Sequence, residues 1–387
     1  MSVTCKEPKL RFKEFSEEWE LKPLSKVTKM KAGKFAKASN ISDTQKNEMY
    51  PCYGGNGLRG YVATKTHEGT YALIGRQGAL CGNVQLASGK FHATEHAVVV
   101  TPINGNDTLW LYYELGRLNL NRFATGQAQP GLSVEVIQQV KTNIPQKPEQ
   151  EKIASFLSAV DSRIEQLTKK EQLLCEYKKG VMQKIFSQEL RFKDDDGSAF
   201  PEWEEKKLGE IGTFKSGLGF TELEQGGKLG VPFFKVSDMN IKENKKIMVT
   251  ANNYVNDEQI SRLQYKPINE YAIIFAKVGA AIFLERKRIA HNFLIDNNMM
   301  AFIAHEDIYF IQQLFDTIRL SKYAQVGALP SYNASDLKTI KVKLPSLKEQ
   351  TKIANFLSSI DKKIEQTAKE LNLTKEFKKG LLQQMFV

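Results

Sequence analysis

Ile153-Ala-Ser-Phe-Leu-Ser158, then Asp161-Ser-Arg-Ile-Glu-Gln166 and Lys178-Lys-Gly180, recurs 200 residues later as Ile353-Ala-Asn-Phe-Leu-Ser358, Asp361-Lys-Lys-Ile-Glu-Gln366 and Lys378-Lys-Gly380. From Pro145 to Phe186 the match with Pro345 to Phe386 needs no gap, and 21 of 42 positions are identical. In the first copy Ile153, Val160, Leu167, Leu174 and Val181 recur every seven residues, with Leu157, Ile164 and Ile185 at adjoining seam positions. That period is helical. Pro145 and Pro148 mark its start, and Glu149 to Lys179 would make a helix about 45 Å long at ~1.5 Å per residue.

The copies complement each other. Where the first has Leu167, Glu171 and Leu174, the second has Thr367, Leu371 and Thr374, so each stripe is imperfect alone. An intramolecular antiparallel pair would complete both; packing of each helix on its own domain, or homodimerisation, are the alternatives. A shorter echo aligns Trp19 to Gly33 with Trp203 to Gly217. Between the echoes, residues 34–129 and 218–329 differ in sequence and length. A repeated frame around unlike inserts suits a protein that reads two different things at a fixed separation.

Length and charge bound the reading. A chain of 387 residues exceeds what one core usually serves. No run approaches the ~18 apolar residues of a membrane span, and no apolar signal segment follows the charged start. Cys5, Cys52, Cys81 and Cys175 lack paired spacing, as expected of a reduced, cytoplasmic protein. The net charge of +11 is concentrated in the inserts: residues 20–148 carry 15 basic against 8 acidic side chains, and 204–348 carry 20 against 16. Basic surfaces favour phosphate backbones through counterion release.

The inserts read as strand-rich. Tyr71–Gly75, Ala97–Thr101, Tyr271–Phe275 and Met299–Ile303 are short buried-strand candidates, and residues 109–119 and 308–320 are helical. Lys193-Asp-Asp-Asp-Gly-Ser198 is a polar turn cluster. The expected class is α+β: two globular strand-rich domains (1–148 and 204–348) separated by two long antiparallel helices (149–186 and 349–387) in a pseudo-twofold internal repeat, with 187–203 as linker.

The doubled Pro-x-x-x-Glu-Gln-x-Lys-Ile-Ala-x-Phe-Leu-Ser motif, its Asp-x-x-Ile-Glu-Gln and Lys-Lys-Gly continuations, and Trp203-Glu-Glu-Lys-Lys-Leu-Gly-Glu-Ile211 with Lys215-Ser-Gly217 resemble the specificity subunit of Type I restriction–modification enzymes. The resemblance covers essentially the whole chain. It implies that the inserts are target recognition domains for double-stranded DNA, each reading one half of a bipartite, asymmetric site. It also implies that the helices form a spacer docking two methyltransferase subunits, with restriction/translocase subunits joining afterwards. No cofactor is then expected on this chain; S-adenosylmethionine, ATP and Mg belong to the partners.

Candidate DNA contacts follow from residue type. Gly75-Arg-Gln-Gly-Ala79 corresponds to Ala276-Lys-Val-Gly-Ala280, each a cation just past a buried strand, then a glycine. Arg76 suits guanine O6 and N7 or a phosphate, and Lys277 a phosphate; Gln77 lies beside Arg76. About twenty residues on, Glu95-His96 and Asn297-Asn298 hold matching places; Asn suits adenine's N6 and N7, and His96 can donate to a base acceptor. Asn56 and Arg59 belong to a glycine-rich turn that would admit a backbone; Lys29, Lys31 and Lys34, and opposite them Lys215 and Ser216, stand at matched entries. Lys235 and Ser237 follow the strand-like stretch 231–234, where Asp238 could simply accept a hydrogen bond within its own loop. For spacer core and docking the choices are Ile153, Phe156, Leu157, Val160, Ile164, Ile353, Phe356, Leu357, Ile360 and Ile364.

Catalytic signals are sparse. His92-Ala-Thr-Glu95-His96 matches a zinc-peptidase pattern that needs a helix, yet its flanks read as a strand. No phosphate loop, amino-methyltransferase motif or glycine-rich cofactor loop occurs. The rivals to a non-catalytic DNA-reading subunit are a coiled-coil scaffold that binds no DNA and a metal-dependent hydrolase using His92, Glu95 and His96.

Overall fold

The computed structural model describes residues 7–126, 130–325, 327 and 329–387, so Cys5 lies outside the described residues. The chain divides into two units. One holds Met1–Lys170 with Thr367–Val387, the other Glu171–Gln366.

In the first unit the strands Thr28–Ala32, Ala97–Pro102, Tyr71–Gly75 and Val84–Ala87 form an antiparallel sheet in that order. A second sheet orders Gly57–Val62, Tyr50–Gly54, Lys90–Ala93 and His67–Glu68, and its middle pair is parallel. The second unit repeats the plan with other residues. Gly212–Ser216, Met299–Ala304, Ala272–Ala276 and Lys287–Ala290 form its main sheet. Tyr254–Val255, Val231–Phe234 and Leu294–Ile295 form the smaller one, again with a parallel pair. The inserts thus share a topology that their sequences conceal.

The continuous apolar runs are explained by burial on both faces. Ile273, Phe275, Met300 and Phe302 point into one core of the second unit; Ala272, Ile274, Met299, Ala301 and Ile303 point into another. Ala72, Ile74, Val98 and Val100, against Leu73, Ala97 and Val99, do the same in the first. The expected helical stretches appear as Thr108–Arg117 and Ile308–Thr317, N-capped by Asp107 and Asp307.

The long helices run Lys147–Phe186 and Leu347–Gln384. The first starts ahead of Pro148, because proline is tolerated in a first turn whose N–H has no helical partner. It runs past Lys179 because Val181 and Ile185 continue into the second unit's core. Within each unit a segment of one helix packs against a segment of the other. In the first, Lys378 meets Asp161 at 2.5 Å and Arg163 pairs with Glu370, an antiparallel order. In the second, Lys178 meets Asp361 at 2.8 Å. The heptad stripe is therefore not one seam. Ile153 and Leu157, like Val181 and Ile185, close globular cores, and Leu167, Thr367 and Leu371 are the buried middle.

Repeated glutamates lock this frame. Arg11 Nε donates to Glu149 (2.8 Å) and Trp19 Nε1 to the same carboxylate (3.2 Å). Arg191 Nε and Trp203 Nε1 donate likewise to Glu349 (2.9 and 3.1 Å). The neighbouring Gln150 accepts from the Asp107 N–H at 2.8 Å and donates to the Pro145 carbonyl at 2.9 Å, so Glu-Gln ties helix, tryptophan segment and cap loop together. Residues 187–203 are accordingly more than a connection. Among the described residues no helix is long and apolar enough to cross a membrane.

Candidate nucleic-acid interface

In both units the candidate contacts converge where the two sheets meet. The strand Tyr71–Gly75 leads into Arg76, whose N–H donates to the His96 carbonyl at 3.0 Å. The strand Ala272–Ala276 leads into Lys277, whose N–H donates to the Asn298 carbonyl at 2.7 Å. Gly78 and Gly279 follow at φ +85° and +83°, a region that favours glycine, and their N–H groups donate to the Pro130 and Pro330 carbonyls. Thr94–Ala97 and Asp296–Met299 are matching tight turns, each closed by an N–H to carbonyl bond of 3.0 Å.

Around the first turn the fold gathers Arg76, Gln77, His96, Asn56 and Arg59. A Cβ at Gly75 would lie 1.8 Å from the Gly55 carbonyl oxygen, so the turn carrying Asn56 sits directly on the strand end. Asn56 accepts from Asn83 Nδ2 at 3.3 Å. Lys34 joins them through its N–H to the Ala93 carbonyl (2.8 Å), whereas Lys29 and Lys31 stand on the exposed side of the edge strand Thr28–Ala32. Among the described residues, Arg76 Nε, Thr94 Oγ1, Glu95 Oε2 and His96 Nδ1 are buried without a protein hydrogen-bond partner. Unpaired buried polar atoms are costly, and these four gather in one loop cluster.

Around the second turn stand Lys215, Ser216, Lys277, Asn297 and Asn298, with Lys277 Nζ donating to Ser216 Oγ at 3.1 Å. Lys235 adjoins them because the Asp296 N–H donates to the Phe234 carbonyl at 3.0 Å; its ammonium is engaged with Gln225 Oε1. Ser237 is exposed, and Asp238 is wholly buried, accepting from the Lys235 and Asn252 backbones within its loop. Burial pushes the Asp296 carboxyl above the usual carboxylate range, opposed by its Asn298 hydrogen bonds and by Lys235. A cavity of about 330 Å³ opens beside Lys215 and Ser216, rimmed also by Gln264 and Lys266, to which no motif in the sequence points.

The hydrolase reading fails on geometry. His92 lies on the strand Lys90–Ala93, buried, with Nε2 3.1 Å from the Lys34 carbonyl and Nδ1 3.2 Å from Thr64 Oγ1. It shares no helix face with His96. Among the described residues no group of three or more His, Cys, Asp or Glu is placed to hold a metal.

On the helices, Ile153, Leu157, Ile353, Leu357 and Ile360 are buried in unit cores, which removes them from any docking surface. Val160, Ile164 and Ile364 are half-buried; Phe156 packs edge-on to Phe12 and Phe356 to Phe192. Leu173 with Tyr177, and Leu373 with Phe377, are instead more than half exposed. Spaced i, i+4 and repeated at the 200-residue offset, they form one apolar pair per helix. The repeat itself is the signal for them, hidden by their lying off the heptad stripe.

Residues 16–174 and 201–375 match the family described as Type I restriction modification DNA specificity domain. The Type I restriction enzyme EcoprrI specificity subunit of Escherichia coli is 46% identical over 160 residues, a stretch spanning 41% of this chain and 40% of that protein. The Type I restriction enzyme MjaVIII specificity subunit of Methanocaldococcus jannaschii is 25% identical over 406 residues, covering 95% and 91% of the two chains. Among solved structures, the S subunit of a Type-I restriction-modification system from M. genitalium shares the fold, with a TM-score of 0.67 at 19% identity over 98% of this chain and 99% of that one.

Proposed function

The chain belongs to the Type I restriction modification DNA specificity family, and from that premise we propose that it is the DNA-reading subunit of such an enzyme. It reads a bipartite, asymmetric site, one half per unit. The observation that carries this is the pair of equivalent turns with unlike side chains: Arg76, Glu95 and His96 in one, Lys277, Asn297 and Asn298 in the other. The same scaffold presenting different hydrogen-bonding groups reads different bases. Arg76 would pair with guanine, and Lys29, Lys31, Lys34, Lys215 and Lys277 would meet phosphates.

Two methyltransferase subunits dock on the helices, at Leu173 with Tyr177 and at Leu373 with Phe377, and restriction subunits join that complex. Methyl transfer, ATP hydrolysis and cleavage are the partners' work in the cytoplasm, with S-adenosylmethionine, ATP and Mg bound there. Methylation mapping of DNA from cells that carry the chain with its methyltransferase tests the reading. A split, non-palindromic methylated site is expected; a continuous or palindromic one overturns it.

A further inference from the structure

The turn Asp296–Met299 contains a device that its counterpart Thr94–Ala97 lacks. Asp296 is buried, with a relative exposure of 5%. Its backbone is fixed on both sides: its N–H donates to the Phe234 carbonyl, its own carbonyl accepts from Met299, and a Cβ at Gly217 would come within 1.8 Å of that carbonyl oxygen. From this rigid base the carboxylate accepts twice from Asn298, at 3.2 Å from the backbone N–H and 3.3 Å from Nδ2. A carboxylate only accepts, so the amide of Asn298 is held nitrogen-inward. One amide hydrogen is used by Asp296. Among the described residues the second hydrogen and Oδ1 have no partner, on an exposed residue beside Lys277 and Ser216.

We propose that Asn298, oriented by Asp296, reads an adenine in the half-site of the second unit. One donor and one acceptor, fixed side by side, complement the N7 acceptor and N6 donor of adenine in the major groove. Guanine offers two acceptors there, cytosine a donor, and thymine an acceptor beside a methyl group. Asp296 is a positioning residue: it touches no base and sets which way the amide faces. In the first unit Thr94 stands in its place, so the device serves one half-site only. This inference rests on the DNA-reading role proposed above.

The test uses the full chain assembled with its methyltransferase and a DNA pool randomised across both half-sites, the bound fraction being sequenced at fixed salt. The intact complex should enrich adenine at one position of one half. Asn298→Ala should cut that preference about 10- to 100-fold and leave other positions alone. Asn298→Asp offers only acceptors and should move the preference toward cytosine, whose N4 donates. Asp296→Asn keeps an acceptor for the turn but places an amide against an amide; it should lose the adenine preference, whereas a purely structural Asp296 would let it stay. Retention of adenine by Asn298→Ala or Asp296→Asn overturns the inference, as does an assembled Asn298→Ala complex with no sequence preference anywhere. An intact complex that selects no bipartite site overturns the DNA-reading role itself, a separable result.

Discussion

Arg76 and Lys277 close equivalent turns, yet only the guanidinium can form a planar bidentate pair with guanine O6 and N7. Arg76→Ala should therefore relax one base position about 10- to 100-fold in the first unit's half-site while the complex still assembles. Methylation sequencing measures this, and failed assembly would move Arg76 to a structural role. Lys29→Ala and Lys31→Ala should behave differently: weaker binding on every sequence, with the slope of log affinity against log salt falling by about one for each phosphate left unneutralised. The sequence points to both kinds of residue, Arg76 and Lys277 as cations past an apolar run and before a glycine, Lys29 and Lys31 as charges at the entry of an insert. Asp296 is not, since a buried carboxylate that steers a neighbour looks like any turn aspartate until its partners are known. Thiol chemistry gives a third check at this scale. Burial pushes the Cys52 thiol above its ordinary value, against the pull of Arg59, so less thiolate is present at any given pH. With iodoacetamide at pH 8 the exposed Cys175 should label first and Cys52 on the order of 100-fold more slowly. Equal rates would mean that the strand Tyr50–Gly54 opens freely.

At the scale of elements, the Glu-Gln pair at the start of each long helix does more than begin a turn. Glu149 is nearly inaccessible and bonded by Arg11 and Trp19, so Glu149→Ala strands a guanidinium and an indole N–H. Breaking such a buried pair costs about 3 kcal/mol or more. Hydrogen exchange should show the loss of protection in the first unit, and in the second for Glu349→Ala; a uniform loss in both would refute the local clamp. The clamp is only half visible in the sequence. Leu10-Arg-Phe-Lys13 recurs as Leu190-Arg-Phe-Lys193, a short echo that the stronger helical repeat outshines, and nothing local says that its arginine reaches a glutamate far along the chain. The heptad stripe misleads in a related way. Period alone cannot tell a helix–helix seam from the buried face of a domain, so Ile153 and Leu357 look available for docking until the cores that enclose them are known. The exposed pairs carry the docking prediction instead. Replacing Leu373 and Phe377 by serine should lower the methyltransferase stoichiometry from two to one in native mass spectrometry, and replacing Leu173 and Tyr177 as well should abolish assembly. Two copies still bound by the doubly altered helix would place docking elsewhere.

For the molecule as a whole, the internal repeat makes the frame legible: an offset of 200 residues and two long helices around two inserts follow from identities at Glu149 and Glu349, Ile153 and Ile353, Gly180 and Gly380, while apolar runs such as residues 71–75 and 299–303 make the inserts strand-rich. The shared topology of the inserts is hidden. Strand order depends on main-chain hydrogen bonds and on alternation between two cores, and both survive replacing Leu73 by Ile274 or Val100 by Phe302. Such tolerance has a functional corollary under the proposed function: readers can diverge on a fixed frame, and the frame would set what lies between their half-sites. If helix length fixes the unread gap, inserting one heptad into each long helix at equivalent places should lengthen it. Seven residues are chosen because they return the apolar stripe to the same face, so that Leu167 stays on the buried side of its helix. At ~1.5 Å per residue the insertion adds roughly 10 Å, up to about three base pairs at ~3.4 Å each. Methylation mapping should then find both half-sites unchanged in sequence and further apart, whereas an unaltered gap in an assembled, active complex would remove the helices as its determinant.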